Sequence, residues 1–258
     1  MFLERILMTE ERQDLENYPD VIKKAFRYVE PVVPKDIVDI LEEGPVLPAS
    51  INAVIFSHLH FDHVGDCTKF PDAEMIAGPG SRAASFPGWP AATGSPFLGS
   101  VLEHPRYHEL NFETDIWIPF RPFTRAHDFF GDGSLFLIDT PGHMAGHLGA
   151  MALTARDEWV FMGGDCCHHR SLLVGSRPMS VTVGPAGTTC FHKDPTTAKE
   201  TIEKIRMLEK KGNVLVALAH DAYLKGRMPE YPESLNGWMG SKWKENLDTE
   251  LRSDYQIP

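Results

Sequence analysis

Short apolar runs recur along the chain, and residues capable of chemistry repeatedly follow them. Ala53-Val54-Ile55-Phe56 is apolar throughout, the pattern of a buried strand. Residues 73–77 read as another strand, closed by Gly78-Pro79-Gly80. From Trp117 onward the sequence is β-rich. Asp132-Gly133, between Phe129-Phe130 and Leu135-Phe136-Leu137-Ile138, is a hairpin signal. Residues 148–153 and 159–162 predict a second hairpin, and residues 214–219 a last core strand. Helical spacing appears at Val21, Ile22, Ala25, Phe26 and Val29. It appears again at Ile37, Val38 and Leu41, in a short helix running from near Pro34 to Gly44. Asp194-Pro195 predicts the start of a longer helix, with Ala198, Ile202, Ile205 and Leu208 as its buried stripe and Gly212 as its stop. The segment from Leu235 through Trp243 predicts a final helix or turn packing two tryptophans. Arg5-Ile6-Leu7-Met8 reads as a short strand. Residues 79–111, with five prolines and several aromatics, hold no period; they read as a long loop that either walls a pocket or caps the core. Residues 168–192 are also irregular.

The first apolar run leads into Ser57-His58-Leu59-His60-Phe61-Asp62-His63, with four metal-capable side chains within six residues. On a strand His58 and His60 project to the same side, and Asp62 and His63 fall on the turn beyond. That suits two ions side by side, one taken by His58 and His60 and the other by Asp62 and His63. Zinc accepts imidazole and carboxylate donors, as do manganese, iron and cobalt. Later runs end in the same kind of residue: His143 in Pro141-Gly142-His143, Asp165 in Gly164-Asp165, and His220 in Ala219-His220-Asp221.

At 258 residues the chain can hold a substantial core without disulfides. Its formal net charge of −11 argues against nucleic acid and anionic membranes as partners. Cys67, Cys166, Cys167 and Cys190 match neither a zinc finger nor a disulfide framework, so they read as reduced thiols of a cytoplasmic protein. No secretory signal is visible, and no apolar run is long enough to span a bilayer.

The H-x-H-x-D-H stretch, followed in order by the P-G-H, G-D and A-H-D elements, resembles the metallo-β-lactamase superfamily. Within it the chain looks most like N-acyl homoserine lactonases and their fungal relatives that open cyclic esters and amides. The resemblance implies an α/β (α+β) fold, an αββα sandwich formed by residues 1–258 as a single domain. Against the family pattern the chain reads as short at the N-terminus, where Met8-Thr9-Glu10-Glu11 occupies the slot of an Asp-x-Gly signature. The resemblance also implies two divalent ions, zinc by preference. His58, His60 and His143 would hold one; Asp62, His63 and His220 would hold the other; Asp165 would bridge them. A lactone carbonyl would be attacked by a metal-bridging hydroxide, with Asp62 moving the proton. His168 stands where bacterial lactonases carry a tyrosine that touches the substrate carbonyl. It is read as catalytic through a hydrogen bond to the developing oxyanion, with packing an equal alternative.

The expected substrate is a small lactone such as an acyl homoserine lactone. The alternative is a cyclic amide or carbamate, for example a benzoxazolinone, whose hydrolysis would be a detoxification. A thioester, a persulfide-type iron oxygenase and a non-catalytic metal-binding paralogue rank lower, because the ligand set is complete and the tail lacks a basic cluster. A homodimer is left open. His147 is read as structural, Asp66 and Asp221 as hydrogen-bonding the ligands, and His104, His108, His127 and His192 as packing residues.

Overall fold

The computed structural model describes residues 19–25, 35–182 and 190–255. The expected strand at Arg5-Ile6-Leu7-Met8, the Met8–Glu11 slot, and the helical positions Phe26, Val29 and Pro34 lie outside the described residues. The chain divides into two compact units: Met1–Asn111 with Met144–Gly146 and Val181–Phe191, and Phe112–His143 with His147–Ser180 and His192–Pro258.

In the first unit, α1 (Asp20–Ala25) and α2 (Ile37–Glu42) precede a three-stranded sheet. Asp36 starts α2 by accepting from Val38 N, while the Asp39 carboxylate accepts from Asp36 N. Strand β1 (Ala53–Ile55) is followed by α3 (Phe61–Val64) and β2 (Glu74–Ala77). β1 pairs with β2 in parallel, Ile55 facing Ile76, and all but its first residue is buried. The stretch read as one long loop is more ordered than its composition suggests. It contains α4 (Ser81–Ser85), α5 (Gly99–Leu102) and β3 (Tyr107–Glu109), which pairs in parallel with β2. Between the two helices the chain doubles back: Trp89 N donates to Phe97 O at 2.7 Å and Gly99 N to Trp89 O at 2.8 Å. Gly88 allows this approach, since a Cβ there would sit 2.5 Å from Gly99 N. Leu98, Val101 and Leu102 are buried, whereas Phe86 is exposed.

The second unit is built on a six-stranded sheet. Its strands are β4 (Ile118–Phe120), β5 (Phe123–Asp128), β6 (Leu135–Asp139), β7 (Leu148–Ala155), β8 (Glu158–Met162) and β9 (Val214–Ala217), adjacent in that order. All pairs are antiparallel except β8–β9, which is parallel. A parallel neighbour requires a crossover, and here the crossover carries α6 (Arg170–Leu173) and α7 (Pro195–Glu209). α7 begins as its sequence predicts, with the Asp194 carboxylate accepting from Thr196 N and Thr197 N. Its stripe Ile202, Ile205 and Leu208 joins a core with Phe123, Ile138, Met151, Phe161, Leu173 and Val216. The first hairpin forms as expected, β5 antiparallel to β6, but its first strand ends before the Phe129-Phe130 run. β5 stops at Asp128, whose carboxylate accepts from Gly131 N and Gly133 N and folds residues 129–134 into the connection. Phe130 is therefore exposed rather than part of a strand. After β9 comes α8 (Lys242–Tyr255). Trp238 is buried beside Val160 and Leu215, and Trp243 packs against the same group. Among the described residues, no helix is long and apolar enough to cross a membrane.

Candidate metal centre

In the first unit the end of β1 gathers the H-x-H-x-D-H residues. Phe56 N still donates to Ile76 O, so the ladder holds the chain up to the edge of the motif. His58 is fully buried, with Nδ1 3.2 Å from Ser57 Oγ and Nε2 2.9 Å from His60 Nδ1. His60 is extended and begins α3, so Asp62 and His63 fall in that helix's single turn. The ring of His63 lies 4.1 Å from that of His58, and its Nε2 is 3.7 Å from Asp62 Oδ2. The ring of His60 stacks on Phe97 at 5.7 Å and 7°, so an aromatic of the former loop forms one wall of this cluster. The four donors expected from the sequence thus meet within one unit.

In the second unit the strand register aligns the chemistry. Asp139 faces Leu148 across β6–β7, so the next step pairs Thr140 with His147, and Thr140 N donates to His147 O at 3.1 Å. Met162 faces Ala150 across β7–β8. Continuing that register brings Asp165 opposite His147, and Asp165 N donates to His147 Nε2 at 3.0 Å. Met162 also faces Ala217 across β8–β9. The same continuation brings Asp165 opposite His220, where Asp165 Oδ1 lies 3.2 Å from His220 Nε2. Gly164 O accepts from Ala219 N at 3.2 Å and holds this last pair in step.

His147 is excluded as a ligand by its own hydrogen bonds. Nε2 accepts from the Asp165 amide, so a neutral ring carries its proton on Nδ1, 2.7 Å from Thr140 Oγ1. The Thr140 hydroxyl in turn donates to His147 O. The side chain therefore pins the Asp165 loop, a structural role in keeping with the sequence reading.

His143 is delivered by a turn bound to α7. Gly142 O accepts from Asp194 N, His143 O from Lys193 N, and Pro141 O from the Thr201 hydroxyl. His143 Nε2 lies 3.4 Å from Asp165 Oδ2, and His168 Nε2 lies 3.2 Å from the same oxygen. Asp165, buried at 3 % exposure, is thus surrounded by imidazoles from three segments of its own unit. His168 also stacks on His220 at 5.8 Å.

The sequence reading left His192 without motif support, as a surface or core packing residue. It is buried, its ring 4.8 Å from that of His168 and 5.4 Å from that of His143. One ring nitrogen from each of His143, His168 and His192 lies within 4.8 Å of the other two. Burial, then the neighbouring His168, pushes its pKa down to about 4. His192 stands two residues before the Asp194 cap, and that helix start is bonded to the Pro-Gly-His turn, a contact that no local signal in the sequence marks. Asp221, expected to hydrogen-bond the candidate ligands, is instead buried against Arg170. Asp66 accepts from the amide and hydroxyl of Thr68. His127 packs against Trp117, as a residue outside the motifs should. Cys67, Cys166 and Cys167 are buried free thiols, and burial pushes Cys167 up to about 11.

The comparisons with known proteins agree with this architecture. Residues 29–164 match the model of the metallo-beta-lactamase superfamily. The chain is 36 % identical to the metallo-hydrolase mfmC of Annulohypoxylon moriforme, over 90 % of this chain and 71 % of that protein. It is 31 % identical to the gamma-lactamase FDB1 of Fusarium pseudograminearum, over 91 % of this chain and 66 % of that one. A 35 % identical match to the cytochrome P450 monooxygenase mpaDE' of Penicillium brevicompactum covers 90 % of this chain but only 30 % of that protein. Among solved structures, an N-acyl homoserine lactone hydrolase with N-hexanoyl-L-homoserine bound at its catalytic metal center has the same fold. Its TM-score is 0.57 at 20 % identity, over 77 % of this chain and 67 % of that one. The chain belongs to the metallo-beta-lactamase superfamily and is one of its hydrolases.

Proposed function

We propose that residues 1–258 act as one domain in which the two ligand sets share a dinuclear centre that opens a lactone by hydrolysis. The observation that carries the reading is the buried Asp165 carboxylate, with nitrogens of His143, His168 and His220 at 3.2–3.4 Å. A buried carboxylate amid imidazoles is a donor set for a divalent cation, because a buried charge must be paired or coordinated. The residues fit zinc. His58, His60 and His143 would hold one ion, Asp62, His63 and His220 the other, and Asp165 would lie between them. Two such ions supply Lewis acidity toward a carbonyl oxygen and make water acidic enough to be a nucleophile near neutral pH.

The chain's own residues do the rest. Asp62, partly exposed, takes the proton of the attacking water and returns it to the leaving oxygen. His168, with some exposure, donates a hydrogen bond to the carbonyl oxygen as charge develops there. Phe97 and its neighbours offer an apolar wall for the acyl portion of a small-molecule substrate. An ester alkoxide leaves readily, and one carboxylate proton relay suffices for it. A second reading, hydrolysis of a cyclic amide or carbamate, is favoured by the similarity to a gamma-lactamase.

Zinc-loaded protein would be tested by proton release on a long-chain acyl homoserine lactone, a simple γ-lactone and a benzoxazolinone, with stripped protein as control. Metal-dependent opening of a lactone at the highest kcat/KM is expected. Preference for the carbamate would replace this reading with the amide one and make the reaction a detoxification. His60→Ala and Asp165→Ala should lose bound metal and turnover together, and retained turnover in either would overturn the site.

A further inference from the structure

We propose that Arg170 is a positioning residue. Through Asp221 it fixes His220 and so sets the affinity for the ion that His220 helps to hold. The proposal rests on the reading of His220 as a metal ligand.

His220 needs such an anchor. β9 ends at Ala217, so His220 stands beyond the regular ladder, and its side chain is 37 % exposed. The next residue, Asp221, is buried and tied down on both carboxylate oxygens. Oδ1 accepts from Tyr223 N at 3.1 Å, closing the turn after His220. Oδ2 accepts from Arg170 Nε, with Arg170 Nη2 also at 2.8 Å. The remaining donors of the guanidinium reach Glu209 Oε1 at 2.6 Å and Val216 O at 2.9 Å. One side chain, 2 % exposed, therefore joins the end of α7, the strand β9 and the turn that carries His220.

Arg170 is itself well held. It opens α6, two residues after His168, and the carbonyls of Leu172 and Leu173 accept from Arg206 of α7. A rigid path thus runs from α7 through α6 and Arg170 to Asp221. Three acceptors in three directions call for the planar five-donor fork of arginine, which a lysine ammonium cannot reproduce. A buried ion network of this kind adds little to stability that well-packed apolar residues would not supply. Such a network can instead fix the turn that carries a metal ligand, and residues that orient a metal ligand typically change metal affinity 10–100-fold when altered.

The discriminating variant is Asp221→Asn. An asparagine has one acceptor oxygen, so it can serve Arg170 or the Tyr223 amide but not both. Arg170→Lys and Glu209→Gln weaken the same clamp from its other ends, and His220→Ala is the reference for loss of the ligand. The affinity of each zinc ion would be measured by chelator competition, with metal content by mass spectrometry and the melting temperature alongside. Expected for Asp221→Asn is a weakening of one ion by about tenfold or more. The other ion should be unchanged, and the same ion should be lost in His220→Ala. Arg170→Lys should weaken that ion in the same direction, and Glu209→Gln less. If Asp221→Asn fails to fold, Arg170→Lys and Glu209→Gln decide on the same readout. Affinities for both ions within about twofold of wild type in the clamp variants, with one ion lost in His220→Ala, would overturn the proposal and leave the reading of His220 standing. Equal weakening of both ions, in step with a lower melting temperature, would also overturn it. Two ions retained in His220→Ala would remove the ligand assignment on which the proposal depends.

Discussion

Gly142 shows how much one residue can decide. Its φ is 124°, a region closed to most side chains, and a Cβ there would lie 2.5 Å from Ala198 Cα in the backbone of α7. The Pro-Gly-His turn can therefore lie against the helix only with glycine before the histidine. Gly142→Ala should cost roughly 2–4 kcal/mol, from backbone strain together with overpacking. Urea unfolding of the folded variant would measure the loss, and an unchanged midpoint would contradict this account. At the same scale, His143, Asp165 and His220 were legible because each follows an apolar run. His192 and Arg170 were not, because nothing in their neighbours' types marks them. His192 gains its place from hydrogen bonds between the start of α7 and the turn carrying His143, and Arg170 from carboxylates 39 and 51 residues away.

At the scale of elements, periodicity located what was long enough to show a period. The stripe on α7 was read correctly, and Ile205 within it is fully buried. Ile205→Ala should destabilise the protein by about 2–5 kcal/mol, the range for a truncated core aliphatic; a thermal or denaturant melt tests this, and a change under about 1 kcal/mol would mean the site collapses around the gap. The helices α4 and α5 were missed because they run only five and four residues, hardly more than one turn, amid prolines. β3 was missed because what makes Tyr107–Glu109 a strand is its parallel pairing with β2, some 30 residues earlier. The end of β5 has a local reason: Asp128 satisfies two glycine amides in the connection, so regular pairing stops there and Phe130 lies outside the strand, although Phe129 N still donates to Leu135 O.

At the scale of the whole molecule, the net charge of −11 includes carboxylates at the proposed centre, and bound cations would offset part of it. Metal should therefore stabilise the fold as well as serve the reaction. An ion present at 100 times its Kd contributes about 2.7 kcal/mol. Chelation should thus lower the melting temperature of the zinc-loaded protein by roughly 5–10 °C for a chain of this size. Restoring zinc should reverse the shift, and an identical melt with and without chelator would count against metal binding to the native state.

The sequence by itself determined the family and the mixed α/β class, and it supplied the residues proposed as metal donors, because a candidate donor set is a matter of residue type and local spacing. It also placed the strands that carry the donors, since apolar runs bounded by turns are local signals. Only the tertiary structure decided which residues stand side by side. The register of four neighbouring strands sets Thr140, His147, Asp165 and His220 in a row, and a slip of one residue would turn each to the opposite face. The pairing of Arg170 with Asp221 and Glu209 likewise joins segments far apart in the chain. Such contacts depend on packing between elements, and no window of sequence contains both partners.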